Sequence, residues 1–595
     1  MGTVAMMENN NYFVNRILRK YLFPTILTIL GTTLLSFANS MIVGKALGKD
    51  ALAVINIVST FTFLFAMLGC LINIGASSEA SLAIGRQDYD RVKDISTYAL
   101  ITSIIVPMLV SVLCLVFFRQ FMRFLGADER LYGISVGYAY IMIAFGFLTT
   151  LMYFVFNFLR LDGRTIYATV IFSSMTVIDI MLVLLFLKED LELFGVGLAV
   201  VISTALADGI GMFYLFRKKD GYVHLCKLKS GDIKRISFGV LKRGTSSGLN
   251  NFCNMLRTMV LNALIIKCFG SDSMGVFAAV CAVVNLTSAT IMGGGQTIAP
   301  LAGVFYGEKD VQSLKMLIKS AEINVMVIHG IICLIGIPLS RLIAQAFGFY
   351  EEQLISDAAW AISLFLLSLI PAAVLNIYIY YYSTIGKTFF SCMLVFLRSF
   401  ALVAGFAKIA AAYGWERMFY LSFPAAEIIC CMIIFIVGKL SNRQALYQMG
   451  TLYIREIPKE NYVSFSVNTT TEGAVEASEK MLEFCKENEI DKKYRTFLPM
   501  AIEELLVIIN EHCFKEEKGE YIDVRIYLDD DGVLLRVRCN GSIFDPIAWY
   551  RKKSENMDEI EMMMDEALGM KMILASAKSV SYQNTFGMNN LVVVI

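Results

Sequence analysis

The chain has 595 residues, 57% of them hydrophobic, and a mean hydropathy of +0.62, which excludes a wholly soluble protein. Its net charge of +1 hides a split: residues 450–595 sum to roughly −9 and the remainder to roughly +10. The 13 cysteines fall mostly singly in apolar runs and there are three histidines, so neither a disulfide framework nor a histidine-built metal centre is expected.

Residues 1–21 are a basic segment in which Arg16, Arg19 and Lys20 directly precede a full-length apolar run, unlike a secretory signal. About twelve runs long enough to cross a bilayer follow before residue 440. Backbone groups find no water in hydrocarbon, so these runs must be helices. Three marker pairs recur at an offset of about 222 residues. Gly48-Lys49-Asp50 matches Gly270-Ser271-Asp272, Gly85-Arg86-Gln87-Asp88 matches Gly307-Glu308-Lys309-Asp310, and Gly163-Arg164-Thr165 matches Gly386-Lys387-Thr388. The spacing predicts a first six-helix repeat at 22–216, a basic linker at 217–243, and a second repeat at 244–440. An even number of spans per repeat makes the two parallel.

Alternate loops carry roughly 23 Lys and Arg against roughly nine in the others, which predicts that the basic set, and both chain ends, are cytoplasmic at an inner (plasma) membrane. The 217–243 linker can also meet anionic headgroups.

Pro24 in the first span, the Gly85-Arg86 and Gly307-Glu308 loops, Leu159-Arg160-Leu161-Asp162-Gly163-Arg164 before the fifth span and Phe194-Gly195-Val196-Gly197 opening the sixth are together similar to the MATE (multidrug and toxic compound extrusion) family. The resemblance covers residues 15–440. It implies two six-helix lobes around a cavity that opens alternately to either side, a small-molecule substrate, and coupling to H+ or Na+ with no other cofactor. It also makes Asp179, mid-span in the fifth helix, the expected coupling acid; a structural Asp is the alternative. Asn39 stands where many relatives carry an aspartate in the first span, and an amide cannot carry a proton near neutral pH. Met175 stands where relatives have an Asn.

Arg257 lies near the bilayer midplane, where an arginine must face a cavity or pair with an acid. It stands in for a bound cation, binds an anionic substrate, or forms a buried ion pair, with Glu427 as a candidate partner. Arg398 matches a structural arginine of the relatives.

A linker at 441–459 leads to a soluble domain at 460–595. Alternation predicts strands at 462–467, 521–528 and 533–539, helices at 471–488, 492–514 and 566–577, a turn and charged loop between, and two final strands, as an α+β domain with helices on one face of a mixed sheet. Ala501-Ile502-Glu503-Glu504-Leu505-Leu506, Asn540-Gly541-Ser542-Ile543-Phe544-Asp545 and Ala567-Leu568-Gly569-Met570-Lys571 resemble the N box and glycine motifs of the GHKL ATPases, in the anti-sigma-factor serine-kinase branch. The resemblance makes Glu504 the general base and Gly541 and Gly569 nucleotide contacts; Lys571 replaces the second motif's later glycine and could meet phosphate only through its charge. Ile508 replaces the magnesium-holding Asn and Cys539 the adenine-reading Asp, so kinase activity is not expected, while weak nucleotide binding without hydrolysis stays open.

The whole reads as an all-α polytopic membrane transporter with a degenerate nucleotide-binding-like tail acting as a regulator or protein-docking module, and not as an enzyme or a nucleic-acid binder. A transporter-like receptor signalling through its tail and a lipid or glycolipid flippase are the alternatives.

Overall fold

A computed structural model describes residues 11–124, 129–189, 191–217, 221–228, 230–347, 349–444, 450–454, 462–490, 492–514, 520–529, 532–555 and 567–595. It divides into two units, Leu18–Tyr453 and a second that joins Met1–Ile17 to Ile454–Ile595.

Among the described residues every regular element of the large unit is a helix. In order come α1 (Asn11–Gly69), a π-turn (Cys70–Ile74), α2 (Gly75–Gly85), α3 (Tyr89–Val116), α4 (Phe118–Phe124), α5 (Glu129–Ala144), α6 (Gly146–Leu161), α7 (Thr165–Lys188) and α8 (Glu192–Arg217). The second repeat holds α9 (Ser230–Cys268), α10 (Ser271–Gly307), α11 (Val311–Gly336), α12 (Ser340–Ala346), α13 (Glu352–Thr384), α14 (Thr388–Phe396), a π-turn (Leu397–Ala401), α15 (Leu402–Ala412), α16 (Glu416–Phe419) and α17 (Ser422–Gln444). Among the described residues nine helical stretches are long and apolar enough to cross a membrane, and the pair Ser135–Ala144 and Gly146–Leu161, bent by 42°, supplies a tenth. The first limb of α1 and the more polar α9 are the other long helical stretches of this unit.

Two expectations change. The Gly48-Lys49-Asp50 marker, expected to join the first two spans, is helical, because α1 is continuous from Asn11 to Gly69. The start of α1 and the stretch that follows pack on different helices: Thr28 and Asn39 lie along α7 at Thr169 and Asp179, whereas Phe65 and, in the π-turn, Asn73 lie along α6 at Thr150. The 217–243 linker is also part helix, since α9 starts at Ser230.

The repeat markers are structural equivalents. Asp88 caps α3 by accepting from the Arg91 amide at 3.2 Å, and Asp310 caps α11 by accepting from the Ser313 amide at 3.0 Å. Gln87 and Lys309 both take positive φ (61° and 56°), as do Gly163 and Gly386 (81° and 87°). Gly85 and Gly307 meet each other: a Cβ on either would stand 2.9 Å from the other's Cα, so only glycine allows this crossing.

Among the described residues the small unit has five strands, β1 (Tyr462–Asn468), β2 (Tyr521–Asp529), β3 (Gly532–Cys539), β4 (Ser579–Thr585) and β5 (Met588–Val594), in the order β1-β2-β3-β5-β4. Every pairing is antiparallel, so the expected mixed sheet is corrected. Helices α18 (Thr471–Glu487), α19 (Lys492–Ile509, continued by a π-turn Asn510–Phe514), α20 (Pro546–Ser554) and α21 (Ala567–Ser576) complete it. Strand and helix side chains share a core that includes Phe465, Met481, Ile502, Val524, Ile526 and Leu535. The stretch expected as a turn and charged loop contains α20, which Asp545 caps by accepting from the Ile547 and Ala548 amides. Most of the expected 441–459 linker lies outside the described residues.

Candidate functional site

The first repeat brings its expected residues together. Asp179 is fully buried on α7. Asn39 Nδ2 donates to its Oδ2 at 2.6 Å, and Ser203 Oγ on α8 donates to its Oδ1 at 3.1 Å. Both donors favour an ionised carboxylate, which burial opposes. Asn39 Oδ1 has no partner among the described residues, leaving a buried carbonyl oxygen beside the carboxylate. Met175, also buried, adds no oxygen. The geometry therefore offers one carboxylate, one amide and one hydroxyl, enough to hold a proton or to contribute to a small cation's shell. No cluster of three or more His, Cys, Asp or Glu suited to a metal occurs among the described residues.

The second repeat separates what the sequence left open. Glu427 pairs with Arg398, whose Nη2 stands 3.1 Å from its Oε1, and not with Arg257. The Arg257 guanidinium lies over the Phe423 ring at 5.6 Å. Phe423 and Glu427 are one turn apart on the same face of α17.

Several functional candidates escaped the sequence reading. Glu79, on α2, is gripped from two sides: by Arg91 of α3 at 2.6 Å and by Arg243 of α9 at 2.5 Å. Arg243 also donates to the Thr384 carbonyl at the end of α13, and Ser383 Oγ donates to the Arg243 carbonyl. Arg160 Nη2 of α6 reaches the Gln296 carbonyl of α10 at 2.9 Å. These contacts join the two repeats at the end that carries the basic loops. The apolar cluster at the opposite end of the first repeat, around Val54, Phe118 and Val196, consists of first-repeat residues alone. Asp208 of α8 is also missed: it is 1% exposed, with neither oxygen bonded among the described residues. The signal for Glu79 and Asp208 was an ionisable residue within or at the end of an apolar run.

A cavity of 610 Å³ lies between α15 and α17, lined by Phe406, Ile409, Trp415, Met418, Leu421 and Ala425 among others. Ala425 falls on the face of α17 opposite to Phe423 and Glu427, so the cavity is apart from the Arg257 neighbourhood.

In the small unit the glycines serve close packing. A Cβ on Gly541 would stand 2.5 Å from the Cys513 carbonyl oxygen, and one on Gly569 would stand 2.6 Å from Glu504 Cβ. Glu504 and Gly569 are thus neighbours, while Gly541 is held against Cys513, whose carbonyl accepts from the Ser542 amide at 2.8 Å. Lys571 is half-buried on α21. Ile508 and Cys539 are each 1% exposed and belong to the apolar core.

The MatE family profile matches residues 24–185 and again 247–409, more than half of the chain. The chain belongs to the MatE family. It is a multi-pass membrane protein of the MATE transporter type and not an enzyme. The probable multidrug resistance protein YoeA of Bacillus subtilis is 24% identical over 346 residues, 56% of this chain and 73% of YoeA. The multidrug export protein MepA of Staphylococcus saprophyticus is 23% identical over 265 residues, and the chain spans 58% of that relative's length. Among solved structures, an outward-facing multidrug-resistance MATE transporter matches with a TM-score of 0.68 at 19% identity, covering 72% of this chain and 95% of that one. The Vibrio cholerae MATE transporter VcmN matches at 0.69 and 16% identity, covering 73% and 98%. These likenesses establish the MATE fold for the large unit.

Proposed function

We propose that the protein is a secondary active exporter of small organic compounds, cationic amphipathic ones among them, that works by alternating access driven by inward flow of H+ or Na+. The observation that carries this reading is the fully buried Asp179 carboxylate held between Asn39 and Ser203. A carboxylate in that setting changes its free energy steeply when a cation neutralises it, which links ion binding to a change of state. The multidrug resistance named for YoeA and the multidrug export named for MepA support the substrate class.

By the charge rule the basic end and both chain ends face the cytoplasm of a plasma-membrane protein. The Glu79–Arg91–Arg243 cluster and the Gly85–Gly307 crossing then act as a closed inner gate, the arrangement of an outward-facing state. Neutralising Asp179 would loosen the first repeat, and the gate would part to admit substrate from inside. The tail, with packed-in motif positions, acts as a regulatory or docking module and not as a kinase.

Everted vesicles made with the reconstituted protein, given a pH or a sodium gradient and a cationic dye, test this. Dye uptake with one gradient identifies the coupling ion; no uptake with either removes the reading.

A further inference from the structure

Resting on the transporter reading, we propose that Arg257 is the binding point for an acidic group, carboxylate or phosphate, on the transported compound. Arg257 stands about 21 Å along α9 from Arg243, deep within the second repeat. Its charged neighbours are Arg398 and Glu427. Arg398 is already neutralised, since its Nε and Nη2 both reach Glu427 Oε1 at 3.1 Å. The π-turn Leu397–Ala401 places Arg398 there, a local helix defect of the kind that recurs at functional sites. One positive charge is left over, and it is on Arg257.

Among the described residues Arg257 has no ion-pair partner; what supports it is the face of Phe423. A guanidinium lying on an aromatic face keeps its in-plane N–H groups available, and that fork matches the two oxygens of a carboxylate or phosphate. The side chain is half-buried, whereas Asp179 is fully buried. Glu427 Oε2, one turn along α17 from Phe423, is buried and unpartnered among the described residues. Its charge lies in the Arg257 neighbourhood and would repel an acidic ligand held there.

The α9 stripe that carries Arg257 is polar as well. Asn250, about two turns earlier, accepts from Ser399 of the same π-turn at 2.9 Å. That bond ties the Arg257 face of α9 to the π-turn that carries Arg398. Asp179 in the first repeat and Arg257 in the second suit a compound or a pair of ions with both signs of charge, which a site built only for lipophilic cations would not need.

The test uses purified full-length protein and two fluorescent probes of one skeleton, pyrenebutyrate and a pyrenyl trimethylammonium. Wild type should bind the acid more tightly than the cation. Arg257→Gln should weaken the acid on the order of 30-fold and leave the cation within about 2-fold. Arg257→Lys, which keeps the charge and loses the fork, should fall between, and E427Q should tighten the acid by removing that repulsion. Equal binding of the two probes by wild type, or equal weakening of both by Arg257→Gln and Arg257→Lys, would overturn the proposal. Repeating the titration in neutral nanodiscs with and without phosphatidylglycerol assigns the source: displacement by the lipid identifies a headgroup, and no displacement a soluble compound. Dye export is measured separately, so loss of export in wild type tells against the transporter reading and not against the Arg257 site.

Discussion

Asp179 and its two donors set the energetics at the smallest scale. Removing either donor strips a hydrogen bond from a buried carboxylate, a loss of about 1–3 kcal/mol where the charged form is needed. Asn39→Ala and Ser203→Ala should therefore each slow coupled dye export by roughly ten-fold while leaving the fold intact, as rates in proteoliposomes would report. Asp208 is the contrasting carboxylate, buried on α8 with no described partner. Its replacement by Leu should raise the melting temperature in detergent, because an unpartnered polar group in an apolar interface costs about 1–3 kcal/mol. In the tail, burial pushes the Cys485 thiol up to about 11. The folded thiol holds its proton above the ordinary value of 9.0, so the stability it contributes is complete below pH 9 and is lost as pH rises toward 11. Alkylation of Cys485 at pH 8 should be slow until the tail unfolds, which mass spectrometry can follow.

At the scale of elements, α2, α9, α10 and α13 converge at the basic end. Glu79 carries two arginines there, and leaving them without it forfeits about 3–5 kcal/mol if the site stays closed. Glu79→Gln should open that end, with amide exchange in 75–85 and 240–247 rising at least ten-fold. Gly307→Ala should act in the same direction, since its Cβ would meet the Leu82 carbonyl oxygen at 2.5 Å and the Gly85 Cα at 2.9 Å. Unchanged exchange in both variants would remove the gate. How far the sequence reached shows in the same elements. The repeat markers predicted the equivalence of Asp88 with Asp310 and of Gly163 with Gly386, because caps and positive-φ turns are local and leave local signatures. The Glu79–Arg243 pairing links positions 164 apart, and nothing local announces it. Glu79 also fell in a stretch read as a basic loop. Asn39 and Asp179 were each visible as polar residues in apolar runs, but their meeting, and the part of Ser203, needed the packing of α1, α7 and α8. In the tail, strand positions followed from alternation, whereas antiparallel pairing throughout depends on the order of strands in the sheet.

The whole molecule holds two units with separate cores, one a MATE transporter lobe pair and the other a small α+β domain. The contrast in charge between them, roughly +10 against roughly −9, was legible from composition. The tail's motif positions now have packing roles, with Ile508 and Cys539 in its core and Gly569 against Glu504. Calorimetry of the full-length protein with ATP and magnesium should accordingly show no magnesium-dependent binding. A clear saturable heat would restore a nucleotide role.

Export coupled through Asp179 is most directly read from substrate and ion flux measured together in proteoliposomes, wild type beside D179N. Wild type should move dye and the coupling ion in opposite directions at a fixed ratio, and D179N should reduce both at least 100-fold while retaining the wild-type fold. Coupled flux by D179N at the wild-type rate and ratio would contradict the assignment.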